Sequence, residues 1–282
     1  MLKQLVEALE QQEELDKIGG PLAAAVSSVT SSKPVKNLLS GTWLGHQLHP
    51  MLTDVPIGLW LAAGLVDVLG GRSGAAASRR LVGLGVLAAL PTAATGASDW
   101  AETVEGEQRV GVIHAAYNVT GVLLQTASYV ARARNHRGRG VALSAAALGG
   151  VLAGGYLGGH LAFARGVGVN HTAFEDRTSD WTDVGALEEL SAGSPKRVDG
   201  GGTPVVLVRE GDRVHALSAT CTHAGGPLDE GEVRDGCIVC PWHGSTFHLD
   251  DGSIVRGPAT IDEPVWEVRV DAGRVAVRAQ QS

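Results

Sequence analysis

"CTHAGGPLDEGEVRDGCIVCPWHGSTF" runs from Cys221 to Phe247 and holds all three cysteines of the chain. Two of them stand in short motifs with a histidine, Cys221-Thr-His223 and Cys240-Pro-Trp-His243, with sixteen residues between the motifs. Each motif presents one thiol and one imidazole from a single tight loop. Cysteines gathered this closely make a poor disulfide framework and a better metal site.

Two cysteines and two histidines match the donor count of structural zinc. Zinc sites more often draw two cysteines from one loop and two histidines from another. One sulfur and one nitrogen per loop suits a [2Fe-2S] cluster in which one iron takes both thiolates and the other both imidazoles. The flanking sequence points to a small antiparallel β domain. "PVVLVREGDRVHALSAT" (204–220) reads as two strands around a Glu-Gly-Asp turn, and "WEVRVDAGRVAV" (266–277) as a hairpin around Asp-Ala-Gly.

"CTHAGGPL" and "CPWHGSTF" resemble the two ligand loops of the Rieske [2Fe-2S] family. "GPATIDEPVWEVRVDAGRVAV" is similar to its proline-containing loop and closing strands, and the resemblance starts near Trp181. It implies Cys221, His223, Cys240 and His243 as the cluster ligands. It leaves Cys237 as a small buried residue and His215 and His248 as surface or packing residues. Rieske domains of quinol-oxidising complexes carry an extra cysteine in each ligand loop and a tyrosine near the second. This chain has no such cysteine pair and has Phe247 there, while Ser245 is retained as a donor toward the cluster. The resemblance therefore implies a potential in the lower part of the Rieske range and a kinship with soluble ferredoxins and oxygenase Rieske domains.

The sequence upstream is of another kind. Of 282 residues, those from Pro50 to Gly168 are dominated by Ala, Gly, Leu and Val, with few acids. Four stretches, about 51–70, 81–98, 110–130 and 141–164, reach the roughly 20 apolar residues that a helix needs to cross a bilayer. Gly150, Gly154 and Gly158 recur at a spacing that lets helices approach closely in lipid. The fold expected is a multi-domain chain, a four-helix transmembrane bundle followed by a small all-β Rieske domain. Its parts are an amphipathic segment and tether (1–45), the membrane domain (46–165), a linker (166–180) and the Rieske domain (181–282). Residues 46–165, with "HQLHPMLTDVPIG", "GVIHAAYN" and "GGYLGGHLAF", also resemble bacterial four-helix membrane domains of unknown function.

Four spans place both termini on one side of a bacterial cell membrane. Which side is open. The loops 71–80 and 131–140 carry three and four arginines without an acid, whereas 99–109 carries four acids. Positive loops stay in the cytoplasm, which puts the termini outside. Cytoplasmic loading of iron–sulfur domains points the other way. His49, His114 and His160 fall near the face that carries the termini. Ionisable groups inside a membrane are functional candidates, and these three are candidates for haem b or a quinone.

The net charge of −7 gives no reason to expect nucleic acid binding. The expected partners are the lipid bilayer and a redox partner protein or quinone. The leading function is membrane-bound electron transfer through the cluster, with haem b or quinone in the membrane domain. The alternative is a tethered ferredoxin that supplies a separate oxygenase, the helices serving only as anchor. An oxygenase complete in one chain would need a mononuclear iron domain or histidine boxes, and neither is present in the sequence.

Overall fold

The computed structural model describes residues 2–280, which divide into two compact units. The first comprises residues up to Ser31 together with Leu48–Val167. The second comprises Ser32–Gln47 together with Gly168 onward.

Unit one is helical. Two shorter helices, α1 (Leu2–Glu10) and α2 (Asp16–Thr30), join four long ones: α4 (Leu48–Leu69), α5 (Ala75–Trp100), α6 (Glu105–Ala133) and α7 (Arg137–Phe163). A further helix, α3 (Lys33–Ser40), belongs to unit two. Seven helices thus stand among the described residues, where four spans preceded by an amphipathic segment and tether were expected. The four-span expectation is corrected as well: α4, α5 and α7 are long and apolar enough to cross a membrane, and α6 is not among them. Gln108, Arg109, His114, Asn118, Gln125 and Arg132 dilute its apolar character. The segment expected as a tether is helical too. Amphipathic α1 buries Val6 against Val110 and Leu157.

Polar side chains of α6 meet partners inside the bundle. Arg132 donates to both carboxylate oxygens of Asp67 (2.9 and 2.5 Å), to Ser78 Oγ (2.9 Å) and to Ser128 Oγ (3.0 Å). Ser144 Oγ donates to Gln125 Oε1 at 2.7 Å. Burying a charge is costly unless it is paired and hydrogen-bonded, and here the pairing draws on α4, α5 and α6.

The strands of unit two begin with β1 (Thr182–Ala186) and β2 (Lys196–Asp199) and form three small antiparallel sheets. The expected hairpins form. β3 (Pro204–Glu210) pairs with β4 (Arg213–Ser218), and β9 (Trp266–Asp271) pairs with β10 (Arg274–Ala279). The second turn has positive φ at Ala272 (46°) and Gly273 (79°), the backbone that a two-residue type I′ hairpin requires. In β3, Val206 and Val208 enter one core cluster with Leu217, Ile238 and Phe247. Val205 and Leu207 enter another with Trp266, Val275 and Val277. Side chains alternate across a strand, so an unbroken apolar run means burial on both faces. The sheet β5 (Glu232–Arg234), β6 (Cys237–Val239), β7 (Thr246–His248) and β8 (Ile254–Arg256) carries the second Cys-His motif in the connection from β6 to β7.

Candidate metal centre

The two motifs fold into loops with one hydrogen-bond scheme. Cys221 N–H donates to Gly226 O (2.8 Å) and Gly225 N–H to Cys221 O (2.9 Å). Cys240 N–H donates to Ser245 O (2.8 Å) and Gly244 N–H to Cys240 O (3.0 Å). Each cysteine therefore opens a closed turn that returns five residues later. Gly225 and Gly244 hold the fourth place after their cysteines, with φ of +77° and +69°. Residues with a Cβ rarely adopt that conformation, which explains glycine at the same offset in both motifs.

This geometry brings the four candidate ligands together in pairs. Cys221 and Cys240 are 1% and 3% exposed, and their thiols hydrogen-bond to one another. The rings of His223 and His243 lie edge to face with centroids 5.0 Å apart. Among the described residues no three His, Cys, Asp or Glu side chains converge as a single bound ion would require. Sulfurs together and imidazoles together is the division of donors that a two-iron centre uses, so the donor set fits such a group. Gly226 permits the close approach of the loops: a Cβ there would stand 2.8 Å from Cys240 Sγ and 3.1 Å from the Trp242 ring.

The electrostatics favour ligation. The hydrogen bond from Cys221 holds Cys240 down at about 7. The same bond, with burial, pushes the Cys221 thiol well up, so the pair shares a proton that a metal would displace. Burial draws His223 down to about 3, which keeps its imidazole neutral, the form that binds metal.

Three supports flank the ligand loops, and two of them, Glu263 and Arg256, escaped sequence reasoning. Glu263, 2% exposed, accepts the Thr222 N–H between Cys221 and His223 (3.1 Å), and burial pushes its carboxyl well above the ordinary range. Arg256 Nη1 donates to the carbonyls of His243 (3.3 Å), Gly244 (2.9 Å) and Gly257 (2.9 Å). Ala259 N–H donates to the buried Ser245 Oγ at 3.0 Å, which leaves the hydroxyl its own proton to donate. Glu263 and Arg256 follow the second motif at distances that no short pattern covers.

Cys237 lies at the start of β6 with Sγ 3.4 Å from His248 Nδ1, and burial raises its thiol. His215 is within 3.5 Å of Glu210 and 3.4 Å of Asp250.

In unit one the three histidines make separate bonds. His49 Nδ1–H donates to Thr92 O (3.0 Å), and its ring fills the notch at Gly96. His114 Nδ1–H donates to Gly154 O (2.7 Å), while Asn118 Nδ2 donates to His114 Nε2 (3.2 Å). His114 and Asn118 occupy the notches at Gly158 and Gly154. His160 Nε2 pairs with Glu10 Oε1 of α1 at 2.9 Å. None of these bonds joins one of the three histidines to another.

Residues 180–267 match the Rieske [2Fe-2S] domain family, and residues 45–171 match a family described as predicted membrane protein (DUF2231). Ferredoxin CarAc of Metapseudomonas resinovorans is 34% identical over 102 residues, 36% of this chain and 95% of that protein. The chain belongs to the Rieske [2Fe-2S] family. The anthranilate 1,2-dioxygenase ferredoxin subunit of Burkholderia cepacia is 31% identical over 103 residues, 36% of this chain and 95% of that subunit. The cytochrome b6-f complex iron-sulfur subunit of Chlorobaculum tepidum is 31% identical over 94 residues, 33% of this chain and 51% of that subunit. The Rieske domain is an electron-transfer domain and implies a [2Fe-2S] cluster. The chain joins it to a segment of a membrane-protein family with three apolar helices.

Proposed function

We propose that this chain is a membrane-attached Rieske ferredoxin of a bacterial cell membrane that exchanges single electrons with a partner oxidoreductase, an oxygenase component in the first instance. One observation carries the reading: two like-built loops present a thiol pair and an imidazole pair, in a domain that aligns with nearly the whole length of ferredoxins from oxygenase systems. Cys221 and Cys240 would hold one iron, His223 and His243 the other. When bound, the cluster supplies one-electron transfer. The chain's own residues fix the loops, keep water from the buried thiols and hold the His223 imidazole neutral. Trp242, 57% exposed beside His243, offers an apolar contact for a partner.

The helices are read as a multi-pass anchor, with both termini on one side. For His49, His114 and His160 the bonds just described favour a role in joining helices over binding a cofactor. Coupling to haem b, the other reading, requires two imidazoles to leave those bonds. Coupling to a quinone requires at least one to do so.

Optical and EPR spectra of the full chain purified in detergent test both readings. The reduced protein gives a rhombic signal with average g below 2. His243→Cys alters it and Cys237→Ser does not. Stoichiometric zinc without iron refutes the cluster. A reduced-haem band lost in His114→Ala, or cluster reduction by a quinol, overturns the anchor reading.

A further inference from the structure

Helix α3 and the residues after it precede the first long helix, yet they fold within the unit that carries the Rieske domain. They lie outside the residues that match the Rieske family, which begin at 180. Their contacts there are specific. The Asn37 side-chain amide donates to Val255 O (3.1 Å) and accepts the Gly257 N–H (2.8 Å). It therefore binds both polar backbone atoms that this short segment turns toward it, as a neighbouring strand would. Thr42 closes over the same place: a Cβ on Gly257 would stand 3.0 Å from the Thr42 methyl carbon.

The bonded segment leads to the second ligand loop in two steps. Gly257 O accepts from Arg256 Nη1, and the same nitrogen donates to the carbonyls of His243 and Gly244. Two residues on, Ala259 N–H is bonded to Ser245. The far end of the strap reaches the first ligand loop. His46 and Gln47, with Gly168–Asn170, line a cavity of about 90 Å³ whose remaining walls are Thr222, His223, Thr260 and Ile261. His46 Nδ1–H donates to Gln47 O (2.9 Å). His171 N–H donates to Thr222 O (3.1 Å), so the returning chain is bound to that loop as well.

We infer that residues 32–47 are a strap that completes the cluster site, with Asn37 the positioning residue that keeps the loop 255–259 closed over the second ligand loop. This rests on the cluster assignment above. Without Asn37, Gly257 N–H and Val255 O lose their partner and the loop opens more often. Two hydrogen bonds at roughly 0.5–1.5 kcal/mol each correspond to an opening equilibrium shifted by roughly 5- to 150-fold. Opening would expose the cluster loops to solvent and chelator, and would change the dipoles around His243.

The test uses the full chain in detergent, with Asn37→Ala, Asn37→Asp and, as a control, Lys33→Ala, an exposed side chain at the start of the same helix. Asn37→Asp keeps an acceptor for Gly257 N–H and loses the donor to Val255. Loss of visible cluster absorption to an iron chelator, the EPR g-values and the midpoint potential are measured for each. The expected result is cluster loss accelerated roughly 5- to 150-fold in Asn37→Ala, an intermediate effect in Asn37→Asp, wild-type behaviour in Lys33→Ala, and shifted g-values and potential in both Asn37 variants. Wild-type chelation kinetics, g-values and potential in Asn37→Ala and Asn37→Asp overturn the strap and leave the cluster reading standing, even if thermal stability falls. A wild-type protein with no Rieske signal overturns the cluster assignment and the strap together.

Discussion

Ser245→Ala removes one oxygen from a fully buried position and leaves the residue's own backbone contacts in place. Cys240 N–H still donates to residue 245 O, so the loop keeps its closure. What is lost is the acceptor for Ala259 N–H, 3.0 Å from Oγ. An orphaned buried N–H costs about 1–3 kcal/mol, the full desolvation of the group, because no water replaces the hydroxyl. For a unit of this size each kcal/mol moves the unfolding midpoint by roughly 3–6 °C. A fall of at least several degrees is expected for the β unit, followed by β-sheet circular dichroism in detergent. The same change removes the hydroxyl proton that Ser245 can donate toward the cluster, and hydrogen bonds to the sulfurs raise Rieske potentials. The midpoint potential should therefore fall too, while the rhombic EPR signal persists. Ser245→Thr, which keeps the hydroxyl, should lie nearer wild type in potential. Equal unfolding midpoints for Ser245→Ala and wild type would refute the assignment of Ser245 as the clasp on residue 259. Equal potentials would refute its donation toward the cluster.

Three further outcomes follow from the geometry. Gly226→Ala places a methyl 2.8 Å from Cys240 Sγ. Such overpacking costs about 1–3 kcal/mol, and iron per protein should drop; unchanged iron content would contradict the close approach of the two loops. Asp67→Asn leaves the buried Arg132 uncompensated at a cost of about 3–5 kcal/mol, and Asp67→Leu with Arg132→Met should recover most of it. Helical unfolding in detergent reads the difference, and additive losses in the double variant would dissolve the pair. Burial holds the Glu175 carboxyl above its ordinary value, partly offset by the Ser218 hydroxyl. The folded state then keeps a proton that the unfolded chain releases. Stability is full below the ordinary value of 4.5 and falls as pH rises toward the folded value. Glu175→Gln should remove that fall and match wild type in acid; parallel pH profiles would show that the carboxyl stays ionised.

The ligand motifs and the β hairpins were legible in sequence because their determinants are local. A cysteine, a histidine two or three residues on and a glycine at the fourth place specify each loop within six residues. Alternation and turn residues specify β3–β4 and β9–β10. The supports of the site were not legible. Asn37 meets Val255 across 218 positions, and Glu263 reaches back to Thr222 across 41. Neither stands in a pattern that distinguishes it from a surface polar residue. The membrane half was misread where composition was averaged. α6 matched the length of a span, but its histidine, amides and arginines lower its apolarity, and only the folded bundle shows Asp67, Ser78 and Ser144 waiting for them. The glycine series in α7 was read as room for backbones. At Gly154 and Gly158 the room is taken by Asn118 and His114.

The strap also constrains how the chain threads a bilayer. Ser32–Gln47 and the chain from Gly168 form one compact body, and one body occupies one aqueous compartment. If the polypeptide between them crosses a bilayer, it must leave that compartment and come back, in an even number of crossings. Three apolar helices alone would strand the two parts of the body on opposite sides. An anchor that uses all three therefore needs α6 as the return leg. In its second half Gln125, Ser128 and Arg132 are turned inward and buried, so that part of the helix can meet lipid with its neighbours as solvent for the polar groups.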